Sequence, residues 1–537
     1  MTDESGGQRL QVRLPAVPVS RRNVLKASVL GAGLLGAGSL IAACGSGASS
    51  TTTQPASTGP KRGGTLTAGI GGGGPSDTMD PDAGVVNTDW ARIMNLYNGL
   101  VQLEPDFTLK YYLADEIIPN ATATSFTIRV KKGVTFHNGK DLTADDVIFT
   151  LQRIANPKAP LNGAGGLSYV DTTNLKKVDS HTVEVPMHIP FLVFPEMLAD
   201  FFYFIAPVGW DSKQPVGTGP FKFESFEAGV ESVFTRNENY FEDGLPYIDS
   251  VKIVDYPELS SRVNAMESGA ADCVDQLPAS SLSTFKNTPS VKVLRSRNSS
   301  WTPIVMQENL APFQDNRVRM AMRLIVDRPQ MIASALDGYG QVGNDFFGLY
   351  DPTYDYGIPQ RHQDIDQAKA LLKAAGQSDL MVTLDTSPAA NGLVEAAQVF
   401  AQQAKLAGVT VNINLMATSN YFGPTYLHRP FSQSFWTGNY YLGQVTESNL
   451  PNSLDNEPHF INEHYLSLFK QANAEFDVGK RTDLIHEMQL IDHNEGGYLI
   501  YAFPDVLDAY SSKVHGFVED KIGWSLSNYG FKNVWFE

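Results

Sequence analysis

Between residues 381 and 415 the hydrophobic period changes from strand to helix and back. Met381-Val-Thr-Leu reads as a strand. From Asn391 to Lys405 the apolar residues Leu393, Ala396, Ala397, Phe400 and Ala404 recur at helical spacing, and Gly408 stands where a helix C-terminus favours glycine. Val409-Thr-Val-Asn-Ile-Asn-Leu then alternates apolar and polar positions, the period of a half-buried strand. Strand, helix, strand predicts a βαβ crossover with parallel pairing and a right-handed connection. Helices are predicted around it. Asp315 can cap one carrying Val318, Met322 and Ile325. Pro329 can open the next, which Gly338 ends. Asp366 to Gly376 is another, with Ala368, Leu371, Leu372 and Ala375 on its apolar face.

The earlier part of the chain has the strand period instead. Ser125-Phe-Thr-Ile-Arg-Val alternates and is followed by Phe136-His137-Asn138-Gly139, in which Asn-Gly is a strong turn signal. Val233 to Arg236 and Val251 to Asp255 also read as strands. There is no fixed-period repeat and no coiled-coil heptad. The whole is mixed α/β, and 537 residues suggest two or three domains.

The N-terminus has a third pattern. Ser20-Arg21-Arg22-Asn23-Val24-Leu25-Lys26 precedes an uncharged stretch, Ala27 to Ala43, and then Cys44. An arginine pair, a short apolar run and small residues before a cut site make an export signal. Ile41-Ala-Ala-Cys44 resembles a bacterial lipobox, whose cysteine is lipidated and becomes the new N-terminus. The Ser-Arg-Arg-x-x-Leu-Lys run resembles a twin-arginine signal, with Val24 where that signal usually has Phe. The alternative is a transmembrane helix, but 17 residues fall short of the ~20 needed to span a bilayer. Residues 45–60 carry no charge and almost no large apolar group, so they predict a flexible tether with a reach of roughly 20–25 Å.

Charge and cysteine content sharpen this. The formal net charge is −17, and removal of residues 1–43, with five basic and two acidic side chains, makes it −20. So acidic a surface disfavours nucleic acid and anionic lipid as direct partners. Of the two cysteines, Cys44 is claimed by the lipid, which leaves Cys273 as a lone buried thiol.

Several catalytic patterns fail their context tests. Gly69-Ile-Gly-Gly-Gly-Gly74 satisfies G-x-G-x-x-G, but Pro75-Ser-Asp and Asp80-Pro81 read as loop where a dinucleotide site needs a helix to start. Gly133 to Lys140 is one residue too long for a P-loop, and Asp141 replaces the Ser/Thr needed for magnesium. Ser283-x-x-Lys286 and Ser467-x-x-Lys470 lack the companion motifs of penicillin-binding enzymes. His486-Glu487 has no second histidine at i+4. Asp145-Asp146 suits the start of a helix. Neither a catalytic constellation nor a metal or cofactor site is expected.

Four stretches in order carry a family resemblance. They are Phe126 to Phe149, with Thr143-Ala-Asp-Asp-Val147 inside it; Val216-Gly-Thr-Gly-Pro-Phe-Lys-Phe223, followed by Arg236-Asn237 and Asn239-Tyr240-Phe241; Pro312 to Ala321, with Asp327-Arg328 beyond; and Ala368 to Gly376. Together they resemble the large extracellular solute-binding proteins of the oligopeptide, dipeptide and nickel type, the ligand-capturing subunits of ABC importers (family 5). The resemblance implies an α/β fold of the periplasmic-binding-protein type, a two-lobed clamshell with an extra domain inserted in the first lobe. The expected division is an export signal over 1–43, the lipidated cysteine and tether over 44–60, lobe I over 61–95, 204–297 and 500–537, the extra domain over 96–203, and lobe II over 298–499. The four motifs themselves are expected to shape backbone rather than touch ligand.

For the ligand, Phe435-Trp-Thr-Gly-Asn-Tyr-Tyr441 offers aromatic and polar groups and falls where peptide-binding relatives carry Trp-x-x-Asp. Matched residue by residue, Trp436 takes the place of the aromatic and Asn439 that of the acid which pairs with a peptide's α-ammonium. Tyr440 and, by its position near a hinge, Tyr501 are further candidates. Core packing for Trp436, a turn role for Asn439 and a strand core for Tyr501 are the alternatives. An amide in place of the acid lacks the charge, so the ligand is expected to be a peptide-like or other medium-sized solute anchored elsewhere, or a neutral one such as an oligosaccharide. The implied protein is a monomeric, lipid-anchored extracytoplasmic receptor that serves a permease, or a sensory receptor of the same fold that delivers nothing. Arg21→Lys combined with Arg22→Lys is expected to block export, checked by fractionating cells; continued secretion would reassign the signal to the general pathway.

Overall fold

Two sheets carry most of the chain, each fed from separated stretches of sequence. In the computed structural model the described residues are 59–537 except 424 and 454. Arg21, Arg22, Cys44 and the tether up to residue 58 lie outside them. The first sheet has the strand order Val291–Ser296, Val506–Ser511, Cys273–Val274, Thr65–Gly71, Ser250–Tyr256, Glu231–Arg236, Phe221–Glu227. Its centre is parallel: Thr65 to Gly71 runs in register with Ser250 to Tyr256. The second sheet has the order Gly340–Val342, Tyr498–Pro504, Thr302–Met306, Phe431–Gln433, Met381–Thr386, Thr410–Leu415. A separate four-stranded antiparallel sheet is formed by Ala114–Pro119, Ser125–Val130, Thr182–Pro186 and Lys176–Asp179. The chain is thus a mixed α/β, two-lobed clamshell with an additional small sheet.

The local signals translate directly. Met381–Thr386 and Thr410–Leu415 pair in parallel across the helix Leu393–Leu406, whose Ala396, Ala397, Phe400 and Ala404 are buried against Leu384 and Val411. Gly408 has φ +83°, a left-handed conformation that glycine adopts without penalty. Asp315 accepts from the Arg317 N–H at the start of Asn316–Ile325, Pro329 sits in the first turn of Arg328–Ala335, and Asp364 caps Ile365–Ala374. In the small sheet Thr143 and Asp146 form a capping box at the head of Ala144–Ile154, which explains the paired carboxylates at 145 and 146. Asn87–Leu96 buries Trp90, Ile93 and Leu96 on Leu66, Ala68 and Ile70 of the first sheet. Among the described residues no helix is long and apolar enough to cross a membrane.

The chain passes between the two large sheets twice, from Ser296 to Thr302 and from Pro504 to Val506. The two passages are tied together. The buried Asn298 amide donates to the Ser296 carbonyl at 2.9 Å and to the Pro504 carbonyl at 3.0 Å, and its oxygen accepts from the Ser300 N–H at 2.8 Å. The C-terminal segment docks on the same place: Ser299 donates to the Lys521 carbonyl at 2.8 Å and Gly438 to that of Ile522 at 2.7 Å. A side chain at 438 would meet Ser299 Cβ at 2.6 Å and the Ile522 oxygen at 2.7 Å, so the close approach requires glycine.

The interior holds many carboxyls. Burial pushes Glu196, Glu308, Glu457, Asp492, Asp508 and Asp520 up to about 7. Each therefore keeps a proton in the folded chain that the unfolded chain releases near its ordinary value. Their stabilisation is complete below the ordinary carboxylate range and is lost as pH rises toward about 7. His137 and His493, pushed down to about 4 by burial, act in the opposite sense, but the carboxyls outnumber them three to one. The urea midpoint is accordingly expected to be lower at about pH 8 than at about pH 5. An equal or higher midpoint at the alkaline end would show these carboxyls to be ionised in the native state.

Candidate functional site

A cavity of about 740 Å³ lies where the two sheets face each other, within the range of small-molecule sites. Its wall draws on Gly71, Trp90 and Arg262 near the first sheet, on Phe201 and Tyr203 after the small sheet, and on Trp301, Phe435 and Trp436 of the second. The crossing residues Ser300, Thr302, Pro504 and Asp505 form its floor.

One wall is an aromatic stack. Trp301 and Trp436 exchange backbone hydrogen bonds at 3.0 and 2.9 Å, which sets their rings parallel, 5.7 Å apart at 9°. Phe347 stacks on Trp301 at 5.1 Å, and Tyr441 on Phe347 at 5.1 Å. Glu457 holds the outermost member in place: it accepts from Trp436 Nε1 at 3.2 Å and from the Tyr426 hydroxyl. The opposite side carries an edge-to-face group in which Phe201 meets Trp90 at 4.6 Å and Trp524 at 4.7 Å. These are large apolar faces with few hydrogen-bonding groups between them, suited to an amphipathic solute.

The polar part of the wall is acidic. Arg262 is neutralised by Asp275 at 3.0 Å and Asp505 by Arg295 at 2.5 Å. Glu447 and Asp455 also line the cavity. The Asp455 N–H donates to the Glu447 carbonyl at 3.4 Å, which keeps the two residues side by side. Behind them, Asn439 Nδ2 donates to Asp200 Oδ2 at 3.1 Å and to Glu447 Oε1 at 3.2 Å, while its oxygen accepts from the Tyr440 N–H at 2.8 Å. Burial, and for Glu447 also the neighbouring Asp200 carboxyl, pushes Asp200, Glu447 and Asp455 above the usual carboxylate range.

The candidates named from sequence occupy three different places. Trp436 faces the large cavity. Asn439 and Tyr440 line a smaller one of about 90 Å³ next to it, together with Asp200, Glu447 and Phe201. Tyr501 is fully buried in the core of the second sheet and lines neither cavity. Trp301, Glu447 and Asp455 are cavity residues that sequence reasoning missed. Glu447 lies in Tyr441–Ser448, where helical spacing alone reads a glutamate as solvated surface. Of the decoys, the Gly69–Gly74 run adds Gly71 and Gly72 to the cavity wall, but without the helix a dinucleotide site needs. The strand Thr65–Gly71 runs into Gly69-x-Gly71 and no helix begins before Asn87. Ser467 and Lys470 lie on an ordinary surface helix, Glu463–Ala472. Cys273 is buried and unpaired. No cluster of three or more metal-ligating side chains exists among the described residues.

Comparison with known proteins agrees with this architecture. Residues 108–449 match the family described as bacterial extracellular solute-binding proteins, family 5, middle region. Oligopeptide-binding protein AppA of Bacillus subtilis is 27% identical over 360 residues, which span 63% of this chain and 64% of AppA, less than two thirds of its length. Heme-binding protein A of Haemophilus influenzae is 24% identical over 81% of this chain and 85% of its own. Among solved structures, the binding protein AgaA from A. tumefaciens in complex with agropinic acid superposes with a TM-score of 0.77 at 23% identity, covering 88% of this chain and 99% of AgaA. DppA from Helicobacter pylori in complex with the peptide STSA gives 0.76 at 21%, covering 89% and 99%. The chain belongs to the family 5 bacterial extracellular solute-binding proteins.

Proposed function

We propose that the protein is a lipid-anchored, extracytoplasmic receptor of an ABC importer that captures a peptide-like or other medium-sized solute between its two lobes and delivers it to a permease. The observation that carries this reading is the 740 Å³ cavity whose walls come from both large sheets and whose floor is the pair of chain crossings. A solute there touches both lobes, so binding favours the closed arrangement by the difference in contact between open and closed states. The same crossings support a division between the lobes near 297–301 and at 505, the latter later than the 500 expected from sequence because Tyr498–Pro504 is a strand of the second sheet. The anchor rests on the Ile41-Ala-Ala-Cys44 pattern, and the tether then keeps the clamshell within reach of its permease. The relatives are named as binding proteins, which favours capture without catalysis.

Trp436 is the residue with most to lose. It offers one ring face to the cavity while the other rests on Trp301. The test is a thermal-shift screen of the full chain, purified in detergent, against tri- to pentapeptides, opines, oligosaccharides and metal chelates. One class is expected to stabilise the fold by about 2.7 kcal/mol when present at about 100 times its Kd. Trp436→Ala is expected to weaken that ligand by about 2 kcal/mol, roughly thirty-fold, as for a buried aromatic anchor. Stabilisation by uncharged oligosaccharides alone would turn the reading toward a neutral-solute receptor, for which the aromatic faces are also suited. No shift with any class would count against a receptor.

A further inference from the structure

Resting on the reading of the cleft as a solute site, we propose that its two halves are held shut by a breakable latch away from the crossings, made where Asn473 and Phe469 meet Tyr169 and residues 191–193. Every strand of the second sheet falls between residues 302 and 504, and every strand of the first and the small sheet falls outside them. Only the two crossings join these halves covalently. A cleft walled by both halves therefore closes on a solute only as firmly as their other contacts hold.

One such contact is buried and made of backbone. The Leu192 N–H donates to the Asn473 carbonyl at 3.0 Å, and the Val193 N–H to Asn473 Oδ1 at 3.4 Å. Asn473 ends the helix Glu463–Ala472 and is fully buried, as is Phe191; Phe469 of that helix is 2% exposed. Tyr169 completes the joint from the half that holds the small sheet. Its ring lies 6.1 Å from that of Phe469, and its hydroxyl donates to Asn452 Oδ1 at 3.4 Å.

Each side keeps its own bonds when the joint parts. Tyr169 is stacked on Phe191 of its own half, at 4.8 Å and 19°, and the Phe191 N–H donates to the Ala123 carbonyl at 3.0 Å. Asn473 Nδ2 donates to the Phe469 carbonyl of its own helix at 3.1 Å. What breaks is two N–H bonds, one hydroxyl contact and one ring contact, and water replaces the hydrogen bonds. The floor has no such seam, because Asn298 binds both crossings at once.

The joint also continues the cavity wall. Gly165 and Gly166 line the cavity, and the turn Gly166–Tyr169 runs from them to the tyrosine. On the other half Thr446 and Glu447 line it, and the chain goes on from there to Asn452. Tyr169, Phe191, Asn452, Phe469 and Asn473 do not line it themselves. A solute that touches both stretches draws together the segments that carry the joint, and the joint sets how much of the empty chain is already shut.

The test reads single amides by hydrogen exchange in the full chain, purified in detergent, with no ligand added. Phe191 and Leu192 are neighbours, but the first N–H is bonded within its half and the second across the joint. Leu192 and Val193 are expected to exchange about ten-fold or more faster than Phe191, and than Ser299 and Gly438 at the floor. Tyr169→Ala combined with Asn473→Ala should speed Leu192 and Val193 by a further factor of about five to ten and enlarge the radius of gyration in X-ray scattering, with Phe191, Ser299 and Gly438 unchanged. The proposal is overturned if Phe191 and Leu192 exchange at one rate in the native chain, or if the double variant speeds all of these amides together, as a general loss of stability would. Latch amides that behave as expected in a chain that binds no solute of the thermal-shift screen leave the latch standing and remove the receptor reading. A solute that binds while Leu192 and Phe191 exchange alike does the reverse.

Discussion

Everything between the lobes depends on the amide of Asn298. Two stretches of chain, separated by some two hundred residues of sequence (206 between Asn298 and Pro504), pass between the sheets side by side, and one buried side chain satisfies a carbonyl from each. Buried backbone carbonyls need a partner, and Ser296 and Pro504 are the last residues of their strands, where the ladders stop. Without that amide, both carbonyls would lose a hydrogen bond under the floor of the cavity. With it, the passages are held at one spacing, and the C-terminal segment can lay Lys521 and Ile522 against Ser299 and Gly438. The floor of the cleft is therefore fixed by the same bonds that define how the lobes are joined.

The wall follows from the floor. Trp301 lies at the end of the first passage, and its backbone pairing with Trp436 carries the second ring into place. Gly438 then has to approach Ser299 closely, so the segment turns there and presents Asn439 to Asp200 of the other side. Ring stacking alone contributes about 0.5–1.5 kcal/mol per pair beyond burial, but the geometry it fixes is shared by four consecutive rings. A rigid aromatic face loses little entropy on binding, which is how one scaffold can hold solutes of different chemistry.

Local signals made the fold legible where the local pattern decides it. The crossover from Met381 to Leu415, the cap at Asp315, the helix start at Asp145-Asp146 and the turn at Asn138-Gly139 all show in short stretches of sequence, and the chain adopts each of them. The motif stretches proved to be read correctly as a family signature. The site was less legible. Trp436 could be named because its neighbourhood resembled a family pattern, but Tyr501, equally aromatic, is core. Glu447 and Asp455 gave no local signal, because what distinguishes them is the absence of a counter-charge in three dimensions. Asp200 and Asn439 are 239 residues apart, and no spacing rule reaches that far.

The charge of the whole chain bears on what reaches the cleft. At −17, the molecule sets up a negative potential that raises the local concentration of cations and repels acids, more strongly at low ionic strength. That field is unselective and acts on rate. Inside the cleft the setting differs: Glu447 and Asp455 are only partly exposed, and burial raises both carboxyls above the usual range. A carboxylate exposed on the surface gains about as much from solvent as from an ion partner, so it discriminates poorly. A partly buried carboxyl next to a second one holds its proton to higher pH, so its charge depends on what stands beside it. Charge in the cleft is thus set by packing, where charge on the surface is set by solvent.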